Sequence, residues 1–415
     1  MRFHLLATAI VASLGLVSAE AFAANTTPAA TAAQLEQLQA QIAALQAQVQ
    51  ALQTQTESLQ QQSDAQSEVN VAQAKATEDA QATSREVDTL SKVVNDTQIG
   101  GRLFIDATSI DQKNNGTKTA NTGTGFDVTR FYLTVDHTFN NIWSANLTTD
   151  AQYLSITPGT SGSVNQANSV EVFIKKAYLQ AKFSDALFVR AGAADTPWIP
   201  FVEKYYGFRY VQSTLVDRLS YGTSSDWGVH AGGESNGFNY AASISNGGGY
   251  RNPSRSKGVD FETRVGYAPT SNTIIAVGGY SGKRGKETEL VDQPHTAERL
   301  DAMAAYASSK FRFGGEWFQA KNWSVTNVAD DKAQGWSLWA SAALTDSGIT
   351  AFARYDKADT SKLVDPDYQN TYYHLGIEFP IIKGIKLATA YKQTKSQTDD
   401  ELNTKEFGVY GDVQF

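Results

Sequence analysis

Residues 405–415 read KEFGVYGDVQF. Phe407, Val409, Gly411, Val413 and Phe415 alternate with Glu406, Gly408, Tyr410, Asp412 and Gln414. Successive side chains on a strand point to opposite faces, so a period of two predicts a strand with one apolar and one polar face. Working back from it, sixteen runs of the same kind reach Gln98, the first centred on Phe104 and the last on Val409.

The gaps between the runs carry as much information as the runs. Asn140-Asn141, Ser184-Asp185, Ser235-Asn236, Pro269–Asn272, Ser309-Lys310, Asp346–Gly348 and Ile381–Gly384 read as tight turns. Longer gaps alternate with them: Asp111–Gly125, Ser155–Ser169, Thr196–Ser225, Gly247–Lys257, Lys283–His295, Lys321–Gln334, Ala358–Asn370 and Ser396–Asn403. Short turns at one end and long loops at the other predict a 16-stranded antiparallel transmembrane β-barrel over 98–415, with its short side in the periplasm. A soluble sandwich has no reason to alternate loop length in this way. Phe311, Phe313 and Trp317 alternate with Arg312 and Glu316, and Tyr373, Leu375, Ile377 and Phe379 with His374 and Glu378. That pattern fits a lipid exterior and a wet interior. The 18 Tyr and 7 Trp supply interfacial girdles.

A barrel of sixteen strands is too wide for side chains to fill, so something must narrow it. The third outer gap, Thr196–Ser225, reads TPWIPFVEKYYGFRYVQSTLVDRLSYGTSS. It is too long and too aromatic for an idle connection. We read it as folding inward, with Glu203, Lys204, Tyr205, Tyr206, Arg209, Tyr210 and Arg218 at the constriction. Strand phase makes Arg130, Tyr132, Lys176, Lys182 and Arg190 pore-lining, with Asp106, Asp136, Asp150, Glu262 and Glu316 as inward acids. Rings of Arg and Lys bias a pore toward anions, since their field replaces part of the lost hydration. Arg251, Arg255 and Lys257, with Lys283, Arg284 and Lys286 in the next loop, predict an outer collecting funnel. Against this, basic and acidic residues nearly balance across the barrel region, and a lumen cation paired with a neighbouring acid explains any single one.

Before the barrel the pattern differs. Residues 1–23, MRFHLLATAIVASLGLVSAEAFA, have a basic start, an apolar core and a small-x-small end, as a secretory leader does. Its apolar run falls short of the roughly 18 residues that a membrane span needs. Over 24–66, Leu35, Ile42 and Val49 share one heptad position, and Leu38, Leu45, Leu52 and Leu59 the other. This predicts a periplasmic coiled-coil stalk. β-branched residues at a with Leu at d lean toward two strands, and a single amphipathic helix is the simpler alternative. Residues 67–97 read as a helical or flexible linker, with a short second helix over Ser84–Val94.

Taken together, the leader, the Gln/Leu coiled coil, KKAYLQAKFSDALFVRAG at Lys175–Gly192, PWIPFVEKYYGFRYV at Pro197–Val211 and the final Phe415 resemble the porins of Gram-negative outer membranes, most closely the phosphate-selective O/P type. The resemblance implies an outer-membrane homotrimer in contact with lipid, passing small hydrophilic solutes, with phosphate or organic anions favoured. It also implies that the C-terminal Phe marks the barrel for insertion, that the third loop enters the pore, and that the stalk is three-stranded. An arginine ladder down the pore is part of that expectation, and Arg102, Arg130, Arg190, Arg264, Arg312 and Arg354 are its candidates here.

Other classes fare less well. Cysteine is absent, which removes disulfides and thiolate chemistry, and a net charge of −8 argues against nucleic acid as a partner. The five histidines are scattered, and no Gly-x-Ser-x-Gly, His-Glu-x-x-His or phosphate-binding glycine loop occurs, so neither an enzyme nor a cofactor is expected. A carbohydrate-preferring or general porin stands as the alternative, the former because tyrosine and tryptophan faces stack on sugars. An envelope tether fits the stalk but not the large barrel.

Overall fold

The computed structural model describes residues 28–153, 170–253, 255–292, 295–323, 328–397 and 400–415. The leader at 1–23 and the second outer loop at Ser155–Ser169 lie outside the described residues. Two compact units divide the chain, Met1–Leu90 and Ser91–Phe415.

Helix α1 runs over Pro28–Asp96, 69 residues, or about 100 Å at 1.5 Å per residue. No helix break falls near residue 66 and no separate helix begins at Ser84, so the stretch read as a linker belongs to the same helix. The physical reason is composition. From Ala29 to Asp96 there is no glycine or proline, and Ala and Gln abound. A seam that turns polar stops offering packing to a partner, but it does not stop a helix. Leu35, Leu38, Ile42, Leu45, Val49, Leu52 and Leu59 are all at least half exposed on the single chain.

The second unit is a closed barrel. Its strands are β1 (Thr97–Asn114), β2 (Gly123–Thr138), β3 (Trp143–Tyr153), β4 (Val170–Ser184), β5 (Leu187–Asp195), β6 (Ser225–Ser235), β7 (Phe238–Ser245) and β8 (Asp260–Thr270). They continue with β9 (Thr273–Gly282), β10 (Ala297–Ala307), β11 (Phe311–Lys321), β12 (Lys332–Ala343), β13 (Thr350–Asp359), β14 (Gln369–Ile382), β15 (Ile385–Gln397) and β16 (Glu401–Gln414). A two-residue rung, Thr117–Lys118, folds back on the end of β1. Each strand pairs antiparallel with the next, and β1 pairs with β16 from Arg102↔Gln414 to Asn114↔Leu402, which closes the wall.

Short turns do gather at one end. Asn236 and Gly237 both have positive φ, as a two-residue hairpin loop requires. The eighth outer gap is shorter than its sequence suggested: β15 and β16 stay paired to Gln397↔Glu401. Polar strand residues had passed for loop there. Phe313, Leu338, Leu375 and Phe407 are exposed on the outer face, while Glu316, Arg354, His374 and Asp412 are buried on the inner one.

The third outer loop, residues 196–224 and hereafter L3, lies inside the barrel. It forms α2 (Ile199–Tyr206) and the single turn α3 (Leu215–Arg218). Pro200 starts α2 and Gly207, with φ 84°, ends it. Trp198, Ile199, Val202, Tyr206, Leu215, Val216 and Tyr221 form a buried cluster with Ile274, Met303, Phe318, Trp339 and Phe352 of the wall.

Candidate functional site

A loop buried in a barrel carries backbone carbonyls that no sheet satisfies, and each orphan is costly. L3 meets this cost with the wall's cations. Arg264 Nε donates to the Pro197 carbonyl at 2.9 Å, and Arg312 Nη1 to the carbonyls of Lys204 and Tyr205, both at 2.9 Å. Arg354 Nη1 donates to the Ser213 carbonyl at 2.6 Å and Lys392 Nζ to that of Val211 at 3.3 Å. Arg299 Nη1 reaches the Tyr221 carbonyl. Carboxylates take the loop's donors. Glu262 accepts the Trp198 backbone N–H at 3.2 Å, and Glu316 accepts the Trp198 indole N–H at 2.9 Å and the Leu215 N–H at 3.2 Å. Trp198 lies over Gly278, where a Cβ would meet its ring at 2.6 Å. These contacts clamp L3 to the arc β8–β15 with charge-assisted bonds, which are roughly twice as strong as neutral ones. Arg264, Arg312 and Arg354, read from the sequence as rungs of an arginine ladder, are used in this clamp.

The residues expected at the constriction divide. Glu203 pairs with Arg209, whose Nη1 donates to the Tyr132 hydroxyl on β2 at 2.7 Å and whose Nη2 lies 4.0 Å from Asp217. Burial alone would pull the Arg209 guanidinium down, but the Glu203 carboxylate beside it holds it well above its ordinary value. Lys204 is exposed, 5.8 Å from the Tyr205 ring. Tyr205 packs on Phe201. Tyr206, Tyr210 and Arg218 are packed in rather than exposed. Tyr206 is buried against Trp339, Tyr210 donates to Glu378 at 2.8 Å, and Arg218 is only 9 % exposed, 3.1 Å from Asp356 and over Tyr372. Burial lowers the Arg218 pKa despite that carboxylate. Charge on a loop is visible in sequence; its direction is not.

Of the wall residues, Arg130 pairs with Asp150 at 3.0 Å and Lys176 with Asp195 at 2.7 Å. Arg190 donates to Gln180 at 2.8 Å and lies over Phe188 and Tyr178. Lys182 is half exposed beside Asp185 at a tight turn, away from L3. Arg102 pairs with Asp412.

Lys175 escaped the sequence reading. Strict alternation sends it outward, opposite Lys176. The β3–β4 register instead shifts between Thr148↔Lys176 and Thr149↔Ile174, which leaves Lys175 as an extra bulged residue. Its ammonium is buried, 3.4 Å from the Tyr132 hydroxyl and 4.4 Å from that ring's centre. Within the outer funnel, Arg284 is likewise committed, to the Trp323 carbonyl and ring. Arg251 is not: it contacts the rings of Phe173 and Tyr250 and meets no carboxylate among the described residues. Arg130, Arg209, Asp217, Tyr250 and Arg251 line one cavity of about 280 Å³ with Thr223, Ser224, Gly248 and Gly249. Among the described residues no cluster of three His, Asp or Glu is set to hold a metal.

Neither a family model nor a curated relative matches the sequence. Solved structures do match. The anion-selective porin from Comamonas acidovorans is 13% identical with a TM-score of 0.53, over 77% of this chain and 99% of that one. The outer membrane channel DcaP of Acinetobacter baumannii is 10% identical with a TM-score of 0.55, over 77% and 97%. OmpT of Vibrio cholerae, an outer membrane protein solved in trimer form, is 14% identical with a TM-score of 0.52, over 77% and 99%. At these identities the likeness is one of fold.

Proposed function

We propose that this chain is an outer-membrane porin of a Gram-negative bacterium, a passive water-filled channel for small hydrophilic solutes that leans toward anions. The observation that carries the reading is L3, folded into a closed barrel and clamped to β8–β15 through its backbone. The remaining arc carries Arg130, Lys175, Lys176 and Arg190 of β2, β4 and β5, and Lys175 shares the Tyr132 hydroxyl with L3's Arg209. Lys175, Arg190 and Arg251 have no acidic partner within 4 Å among the described residues, so no direct ion pair offsets their charge. A fixed field of this sign favours anions as they shed water.

A dedicated phosphate path draws less support, because three of the ladder arginines are engaged with L3. A sugar path also draws less: Trp198, Tyr206, Phe208 and Tyr221 are buried between loop and wall, where no solute can stack on them. The neighbours' solved forms and the exposed heptad seam support a homotrimer whose coiled coil lies in the periplasm. The test is swelling of proteoliposomes by small uncharged solutes, followed by reversal potential across a KCl gradient. No swelling overturns the porin reading, and a cation-side potential overturns the anion lean.

A further inference from the structure

The outside of the barrel is not uniform in charge. Side chains alternate across a strand, and burial marks the face that points in. Lys357 is exposed between buried Asp356 and Ala358, and Lys332 between buried Asp331 and Ala333. By the same phase Lys321, Lys395 and Lys405 also point out, Lys405 in step with exposed Phe407 and Val409. On β2–β10, among the described residues, no lysine or arginine takes an outward position. Height matters as much as direction. Counted from the periplasmic end of its strand, Lys321 is residue 11, Lys332 residue 12, Lys357 residue 8, Lys395 residue 11 and Lys405 residue 10. A tilted strand crosses the hydrocarbon in about 9–11 residues. The five lysines thus form a belt where β11–β16 leave the apolar layer at the long-loop end. Each has an aromatic residue on the same face, two or four positions nearer the periplasm: Trp317, Trp336, Tyr355, Tyr391 and Phe407. Lys321 is answered by Asp330 at 2.5 Å and Lys395 by Glu401 at 3.9 Å. Lys332, Lys357 and Lys405 have no carboxylate within 4 Å among the described residues.

We propose that this belt binds the phosphate groups of lipid headgroups in the outer leaflet. A lysine stem lies along an apolar wall while its ammonium reaches headgroup level, and the aromatic row below holds that level fixed. The lipid's chains then run down the apolar wall beneath. A free phosphate shares the charge but has no chains to lay there.

The inference rests on the outer-membrane orientation in the porin reading, and the experiment separates the two. The full chain in neutral detergent is titrated with lipid A, which carries two phosphates on an acylated sugar, and with phosphatidylcholine, which has no net charge. Lipid A is expected to bind about tenfold tighter or more, and inorganic phosphate should not displace it. Lys332→Gln, Lys357→Gln and Lys405→Gln together should weaken lipid A about a hundredfold, roughly fivefold for each lysine. The same variant should leave the reversal potential and the oligomer unmoved, since these side chains point away from the lumen. If it binds lipid A as the wild type does while the potential stays on the anion side, the belt is wrong and the porin reading stands. Displacement of lipid A by inorganic phosphate overturns the belt as well, by assigning the charge to a free anion. So does loss of the oligomer with lipid A binding intact, which would place this face between copies of the chain. A wild type that swells no liposomes, yet binds lipid A through the three lysines, removes the porin reading and leaves the belt.

Discussion

Arg354 donates through Nε and Nη2 to Asp356, both bonds at 2.7 Å, and through Nη1 to the Ser213 carbonyl. Replacing it leaves a buried carboxylate with Arg218 as its one remaining cation and frees a loop carbonyl. Breaking such a pair costs about 3–5 kcal/mol. Arg354→Met is therefore expected to lower the unfolding temperature of the detergent-solubilised barrel, read by heat-modified gel migration, and to make single-channel current noisier. Unchanged stability and a quiet current would show that the clamp is redundant. Lys175 and Arg218 make a sharper contrast. Lys175 has no acid partner within 4 Å among the described residues, whereas Arg218 is paired with Asp356, an acid that it shares with Arg354. Lys175→Met should shift the reversal potential toward cations, and Arg218→Gln should leave it where it was. The opposite result would reassign the constriction to the residue expected from sequence.

Strand period is a local property, and so most of the fifteen gaps and the placement of L3 were legible before any coordinates. What stayed hidden depends on partners that are distant in sequence. The Lys175 bulge exists only against β3, and the clamp ends on carbonyls, which every residue has and no sequence distinguishes. Residues 67–97 stayed open between a helical and a flexible linker for another reason: the end of a heptad seam does not say whether the helix goes on, and here it does. Continuity has a consequence for the stalk. If Leu35 to Leu59 bury one another in an assembly, removing Ala33–Gln66 should lower the oligomer's resistance to detergent while conductance per barrel holds, since a seam contributes to association and not to the lumen. A marked rise in conductance would mean instead that the segment obstructs the pore.

Across the whole barrel, selectivity that comes from fixed charge should weaken with ionic strength. The Debye length falls from about 10 Å at 0.1 M to about 3 Å at 1 M. Reversal potentials taken at the same concentration ratio should approach zero over that range. A salt-independent preference would point to size exclusion by L3. The closing ladder bears on the order of events in assembly. Every other ladder joins strands adjacent in sequence, but β1 meets β16 across most of the unit, and the Arg102–Asp412 pair links residues 310 positions apart. Phe415 completes the seam: its backbone exchanges hydrogen bonds with Gly101, and a Cβ at Gly101 would meet its ring at 2.3 Å. Gly101→Val should therefore leave the hairpins intact and slow the last step, seen as a late, lagging phase when refolding into detergent is followed by migration. Until that step the nascent sheet has two raw edges, each able to capture another chain. The cell must then shelter a nearly finished wall whose first strand waits for the last one made.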